Sequence, residues 1–174
     1  MLIILGGLPA TGKTTIAKAL ATRLKATYLR VDSIEQAIFA ADGNSVTEIG
    51  AEGYFVAYAV AADNLQLGQT VIADSVNSLE ITRQAWKNVA AQAHVKTIEI
   101  EIICSDKGVH RKRVEARLAD IKNHSLPNWN DVLNRDYETW DSIDLVIDTA
   151  LYSVQKSVEL ILQNIEMKNQ SRCK

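Results

Sequence analysis

The chain lacks the residues that would mark a disulfide framework, a structural metal or a membrane anchor. Its two cysteines in 174 residues, Cys104 and Cys173, stand far apart and form no Cys-x-x-Cys pair. Its three histidines, His94, His110 and His124, are scattered, so no zinc-site spacing results. Excess charge is missing too: the net value is −2, without the electrostatic footprint that grips a long polyanion. No apolar run approaches the roughly 20 residues that span a bilayer, and Leu2 to Leu5, with no basic leader, is too short for a signal peptide. These absences lead us to expect a cytoplasmic, reduced protein with no membrane contact. No repeat, low-complexity tract or linker divides the chain, and its length suits one domain over residues 1–174 with a core that needs no staples.

What is present begins with GLPATGKT, Gly7 to Thr14, a match to G-x-x-x-x-G-K-[ST]. Two glycines let the backbone curl so that successive N–H groups and the next helix's N-terminus face an anion. In that pattern Gly7, Leu8, Pro9, Ala10, Thr11, Gly12, Lys13, Thr14 and Thr15 form a nucleotide-phosphate cradle. Lys13 reaches the outer phosphates and the Thr14 hydroxyl faces Mg²⁺. The context is the required one, because the apolar run Leu2 to Leu5 precedes the loop and Ile16, Leu20 and Leu24 recur on one helical face after it. The bland alternative is a glycine-rich turn from strand to helix.

Four more strands are expected: Thr27 to Val31, Thr70 to Ala73, Lys96 to Cys104 and Ile143 to Ile147. Helices fill the intervals, among them Ile49 to Leu67, whose Tyr54, Phe55 and Tyr58 read as core, and one in which Leu79, Trp86, Val89 and Ala90 share a face. A basic helix from Lys107 loosens near Pro127 and leads to a short amphipathic helix with Trp129, Leu133 and Trp140. The last helix carries Val154, Val158, Ile161, Leu162 and Ile165, and the tail 167–174 reads as polar and frayed. Strands alternating with helices predict an α/β fold of three layers around a five-stranded parallel sheet with right-handed crossovers.

Ligands of an open parallel sheet bind outside the carboxyl ends of its strands. Gly7, Asp32 and Asp74 each stand just past such an end, so the fold gathers loop and carboxylates in one crevice. Asp32 with Glu35 could cap a helix, yet beside a phosphate loop a carboxylate is what accepts the proton from an attacking hydroxyl. Asp74 reads as the acidic residue that holds Mg²⁺, and Ser75 follows where a water-splitting ATPase would place Glu, which favours transfer over hydrolysis. Arg111 with Glu115 is an ordinary i,i+4 pair. Arg113 and Arg117, four apart, suit a helical lid at about 111–140 that brings positive charge to the transferring group.

The segments GGLPATGKTT, VDSIEQA, VIADSVN with Thr82 and Arg83, and HRKRVEAR resemble the small P-loop kinases grouped with AAA-family ATPases. These include chloramphenicol phosphotransferase-like, gluconate-kinase-like and polynucleotide-kinase-like proteins. The resemblance covers Leu2 to about Ile165 and implies a P-loop NTPase fold with adenylate-kinase-like strand order 2-3-1-4-5, ATP with Mg²⁺, and γ-phosphoryl transfer to an acceptor hydroxyl. By the same likeness Asp32 is the general base and Asn77 and Arg83 match a D-x-x-N with a following Arg. The expected protein is a phosphotransferase acting on a small molecule, with Lys13, Asp32, Arg113 and Arg117 catalytic and Thr14 and Asp74 at the metal. A polynucleotide 5′-hydroxyl kinase is the first alternative, kept open by the Arg cluster against the near-neutral charge. A slow nucleotide-dependent switch with no acceptor is the second.

Overall fold

The computed structural model describes residues 1–41, 50–121 and 125–170. In chain order they form β1 (Leu2–Gly6), α1 (Lys13–Leu24), β2 (Thr27–Arg30), α2 (Val31–Ala41), α3 (Glu52–Gln66), β3 (Val71–Asp74), α4 (Glu80–Gln92), β4 (Thr97–Ile103), α5 (Lys107–Ala116), α6 (Trp129–Leu133), β5 (Leu145–Asp148) and α7 (Val154–Gln170). A strand apolar on both faces must be covered on both. β1 is that strand: it pairs in parallel with β3 on one side and β4 on the other, and the sheet runs β2-β3-β1-β4-β5, all parallel. Alternation along β1 divides the core. Ile3 and Leu5 meet Ile16 and Leu20 of α1 and Ile161 and Ile165 of α7, while Leu2 and Ile4 meet Ala57, Ala61 and Leu65 of α3 and Trp86 of α4. This is the three-layer P-loop NTPase architecture in the expected strand order.

Several local expectations are corrected. β2 ends at Arg30, and α2 starts at once with Val31, which is buried, so Asp32 lies inside the helix's first turn and not in a capping loop. Phe55 is 69% exposed, because α3 turns Gly53, Ala57, Ala61 and Leu65 inward. Leu79 is the N-cap of α4 and is partly exposed. α6 has five residues, opened by an Asn128–Asp131 capping box; it buries Val132 and leaves Leu133 exposed. Trp140 belongs to the strap that follows. α7 continues through Gln170, so Met167 to Gln170 is helical. Ile49, His124 and Cys173 lie outside the described residues.

The strap is pinned by Arg83, which is buried in α4. Its guanidinium donates to the carbonyls of Asn77 (3.1 Å), Ser78 (3.2 Å), Glu138 (3.3 Å) and Thr139 (2.9 Å), and Trp140 lies over it at 4.8 Å. Asn77, in a left-handed conformation, donates to the Leu5 carbonyl (2.7 Å) and accepts from the Trp86 indole (3.2 Å). Trp86 itself is fully buried and meets Tyr58 edge-on at 4.6 Å. Trp86→Ala would leave both a cavity and an unpaired Asn77 carbonyl, and should cost about 3–5 kcal/mol in urea unfolding. A loss below about 1 kcal/mol would show that the network does not need the indole.

Candidate active site

The loop after β1 takes positive φ at Gly7 (137°), Ala10 (62°) and Gly12 (102°), and such alternation turns backbone N–H groups toward a common point. Gly7 is held against the sheet, since a Cβ there would stand 2.1 Å from the Ile102 carbonyl oxygen. Its N–H donates to Val76 O (3.0 Å). Gly12 caps α1 without any side-chain hydrogen bond, so that helix N-terminus is left open to an anion. Lys13 donates to Leu8 O (2.9 Å), and burial pulls its ammonium down to about 8. Asp74 and Asp32 act against that pull, while Arg117 and Arg135 add to it. Arg117 and Arg135 are therefore each close enough to repel Lys13, and a polyanion among the three would relieve the repulsion.

A cavity of about 1050 Å³ opens over this loop. It is lined by Pro9, Ala10, Gly12, Lys13, Thr14 and Thr15, and by Asp32, Asp74, Arg113 and Arg117, so the carboxyl ends of β1, β2 and β3 do share one crevice. Gly7, Leu8 and Thr11 are not in its wall. The Thr11 hydroxyl is turned to Leu8 O (2.9 Å), a contact that shapes the loop. Asp74 is 2% exposed and accepts from the Tyr28 hydroxyl at 2.7 Å. Asp32 is 3.5 Å from Arg30 Nη2.

The two lid arginines differ. Arg113 donates to Thr149 Oγ1 (2.7 Å) and Thr149 O (2.9 Å), and Thr149 in turn donates to Thr11 O (2.7 Å), so Arg113 is fastened to the phosphate loop through the end of β5. Arg117 lies beyond α5 in extended conformation, which means the pair does not share a helix face. None of the described residues pairs with it. Arg111 and Glu115 form the expected exposed pair at 2.7 Å.

Residues that sequence reasoning missed also face the cavity: Arg30, Tyr54, Asp120 and Arg135. Arg30 donates to Asp120 through both terminal nitrogens (2.7 and 3.0 Å), and those bonds hold the Asp120 carboxyl well below the usual carboxylate range. Lys18 joins the same carboxylate at 3.2 Å, which ties the segment after α5 to β2 and α1. No local pattern announces Arg135; it reaches the site because Arg83 fixes the strap next to it. Glu35, read from sequence only as Asp32's partner in a cap, lies in the cavity wall.

The profile of the AAA domain family matches residues 2–134, three quarters of the chain. The chain belongs to the AAA domain family. Among solved structures, this AAA domain chain is similar to a Chloroflexus aurantiacus protein assigned as a kinase, at 28% identity and TM-score 0.74 over 95% of this chain and 96% of that one. It shares the fold of the Mycobacterium tuberculosis APS kinase CysC in complex with AMPPNP and APS, at 16% identity and TM-score 0.67 over 95% and 96%. It also shares that of Chaetomium thermophilum Kti12 in complex with ADP-AlF3, at 20% identity and TM-score 0.63 over 95% and 99%. No curated protein matches the chain. Among the described residues of this AAA domain protein, no helix is long and apolar enough to cross a membrane.

Glu35 gives a test of the site's electrostatics. Burial first, and then the neighbouring Asp32 charge, push its carboxyl above the ordinary value, with Arg135 opposing. The folded state therefore keeps this proton to higher pH than the unfolded chain, and stability falls as pH rises from about 4.3 through the raised value. Glu35→Gln should raise the melting temperature at about pH 7 and lose that gain near pH 4. An equal shift at both pH values in thermal unfolding would contradict the assignment.

Proposed function

We propose that the protein is an ATP-dependent phosphotransferase that moves the γ-phosphoryl group to a hydroxyl of a small-molecule acceptor. The observation that carries this reading is the Asp32 carboxylate in the same cavity wall as the phosphate loop, held by one long contact to Arg30 and so free to take a proton. The loop N–H groups and the α1 N-terminus hold the phosphates, and Lys13, Arg117 and Arg135 supply the positive charge that gathers around them. The acceptor oxygen bonds to the γ-phosphorus as the bridge to the β-phosphate breaks, ADP leaves, and the hydroxyl proton passes to Asp32.

Thr14 and Asp74 are the residues that would hold Mg²⁺. Among the described residues no group of three or more His, Cys, Asp or Glu gathers to bind a metal, which suits a cation that takes few protein ligands and completes its shell with phosphate and water. When bound, it neutralises charge on the outer phosphates. Residues 111–140 act as the lid of a single kinase domain. Arg113 keeps the hinge side of that lid registered to the loop, and Arg117 is the arginine free to meet the transferring group.

The polynucleotide reading loses support from the same contacts. Arg111 is paired with Glu115 and Arg113 with Thr149, so the basic cluster does not continue as a channel for a strand. The fold, shared with Kti12 in complex with ADP-AlF3, suits the slow-switch reading as well as the kinase one. The two are separated by Asp32, for which a switch has no use. Asp32→Asn should leave ATP affinity unchanged in calorimetry and lower transfer from γ-labelled ATP by about 10² to 10⁴. Transfer at the parent rate would make Asp32 a structural residue only.

A further inference from the structure

The cavity is electrically divided. Lys13, Arg117 and Arg135 stand around the phosphate loop, whereas a second part of the wall, built from α2, the first turn of α3 and the β3–α4 loop, carries Asp32, Glu35, Tyr54 and Ser75. Of the cations within reach of that wall, Arg30 is already engaged by Asp120 and by Asp32, and Arg135 acts on Glu35 from a distance with no ion pair between them.

Glu35 is built into its position. A Cβ on Gly53 would lie 2.3 Å from Glu35 Cγ and 3.2 Å from its Cδ, so α3 carries a glycine, a poor helix former, where the glutamate stem crosses it. The stem is thereby clamped, and none of the described residues makes a hydrogen bond or ion pair with its carboxylate. Asp32 and Glu35 are three apart on α2 and so lie on one side of it, a few ångströms from each other. Beside them the Ser75 hydroxyl is buried without a well-formed hydrogen bond, with the Tyr54 phenol close enough to reach it, and Tyr54 in turn lies within electrostatic reach of Glu35 and Asp32. Confined polar groups without a full set of partners are costly, so the half-buried Glu35 carboxylate and the buried Ser75 hydroxyl together imply a ligand that supplies them.

We infer that this wall is the acceptor subsite, and that it takes a polyhydroxylated or amino-hydroxylated compound with no anionic group near the reacting hydroxyl. Asp32 receives the reacting hydroxyl. Glu35 accepts a hydrogen bond from a second donor, hydroxyl or ammonium, on a neighbouring carbon, and Ser75 and Tyr54 complete the contact. An anionic acceptor would face two carboxylates in a poorly solvated wall. This rests on the kinase reading and adds the acceptor class to it.

The test separates a small-molecule metabolite extract by ion exchange into neutral, cationic and anionic fractions. Each is offered with γ-labelled ATP and Mg²⁺ to the wild type, Glu35→Gln and Asp32→Asn. The expected label enters the neutral fraction, for a hydroxyl partner, or the cationic one, for an ammonium partner. Glu35→Gln should cut labelling at low acceptor by about tenfold or more, and recover it when the fraction is concentrated, the mark of lost acceptor binding. The variant's expected higher melting temperature at neutral pH excludes misfolding as the cause. Asp32-dependent label in the anionic fraction, or labelling that Glu35→Gln leaves unchanged, overturns the acceptor assignment while the kinase reading stands. Label found only in inorganic phosphate, and unchanged by Asp32→Asn, overturns both.

Discussion

No side chain fits where β1 becomes the phosphate loop, and the site depends on that constraint. A Cβ on Gly6 would meet Trp140 Cζ2 at 2.2 Å, and one on Gly7 would meet the Ile102 carbonyl at 2.1 Å. The loop is thus squeezed between the strap on one side and β4 on the other. Its backbone then has one course, through positive φ at Gly7, Ala10 and Gly12, and that course is what aims the N–H groups. Gly7 needs its glycine for conformation and space together, Gly6 for space alone.

The loop's neighbours are held by carbonyl bonds more than by side-chain pairs. Asn77 reads the Leu5 carbonyl, Arg83 reads four carbonyls from the β3–α4 loop and the strap, and Thr149 reads those of Thr11 and Ile103. Each ties the carboxyl end of one strand to the next, so β1, β3, β4 and β5 present their ends as one rim. Arg83 and Asn77 touch the backbone and not the cavity chemistry. They position Asp74 and Ser75 on one side and the strap that carries Arg135 on the other. Glu138 strengthens the same clasp from the strap, with its carbonyl on Arg83 and its carboxylate on the Glu80 N–H.

The crevice at the strand ends was legible because it follows from local patterns, namely fixed spacing in GLPATGKT, apolar runs of strand length and helices between them, whereas the strand order was implied by the resemblance to small P-loop kinases. Features made by long-range packing were not. Asp32 reads as a cap only if a loop precedes α2, and the direct passage from Arg30 to Val31 removes that loop. Trp140 falls at helical spacing after Leu133, but the seat over Gly6 and Arg83 decides its place. Arg113 and Arg117 look equivalent by spacing until α5 ends between them. Arg135 has no signal in its own neighbourhood, and Glu35 has a misleading one. The glycine that betrays Glu35, Gly53, lies on another helix.

The decisive event is the arrival of the γ-phosphoryl group on an organic hydroxyl. Phosphorus NMR of the protein with Mg-ATP and a small-molecule extract observes it without assuming an acceptor. A new phosphomonoester resonance that grows in step with ADP is the predicted result. Growth of inorganic phosphate in step with ADP, with no phosphomonoester, would contradict it.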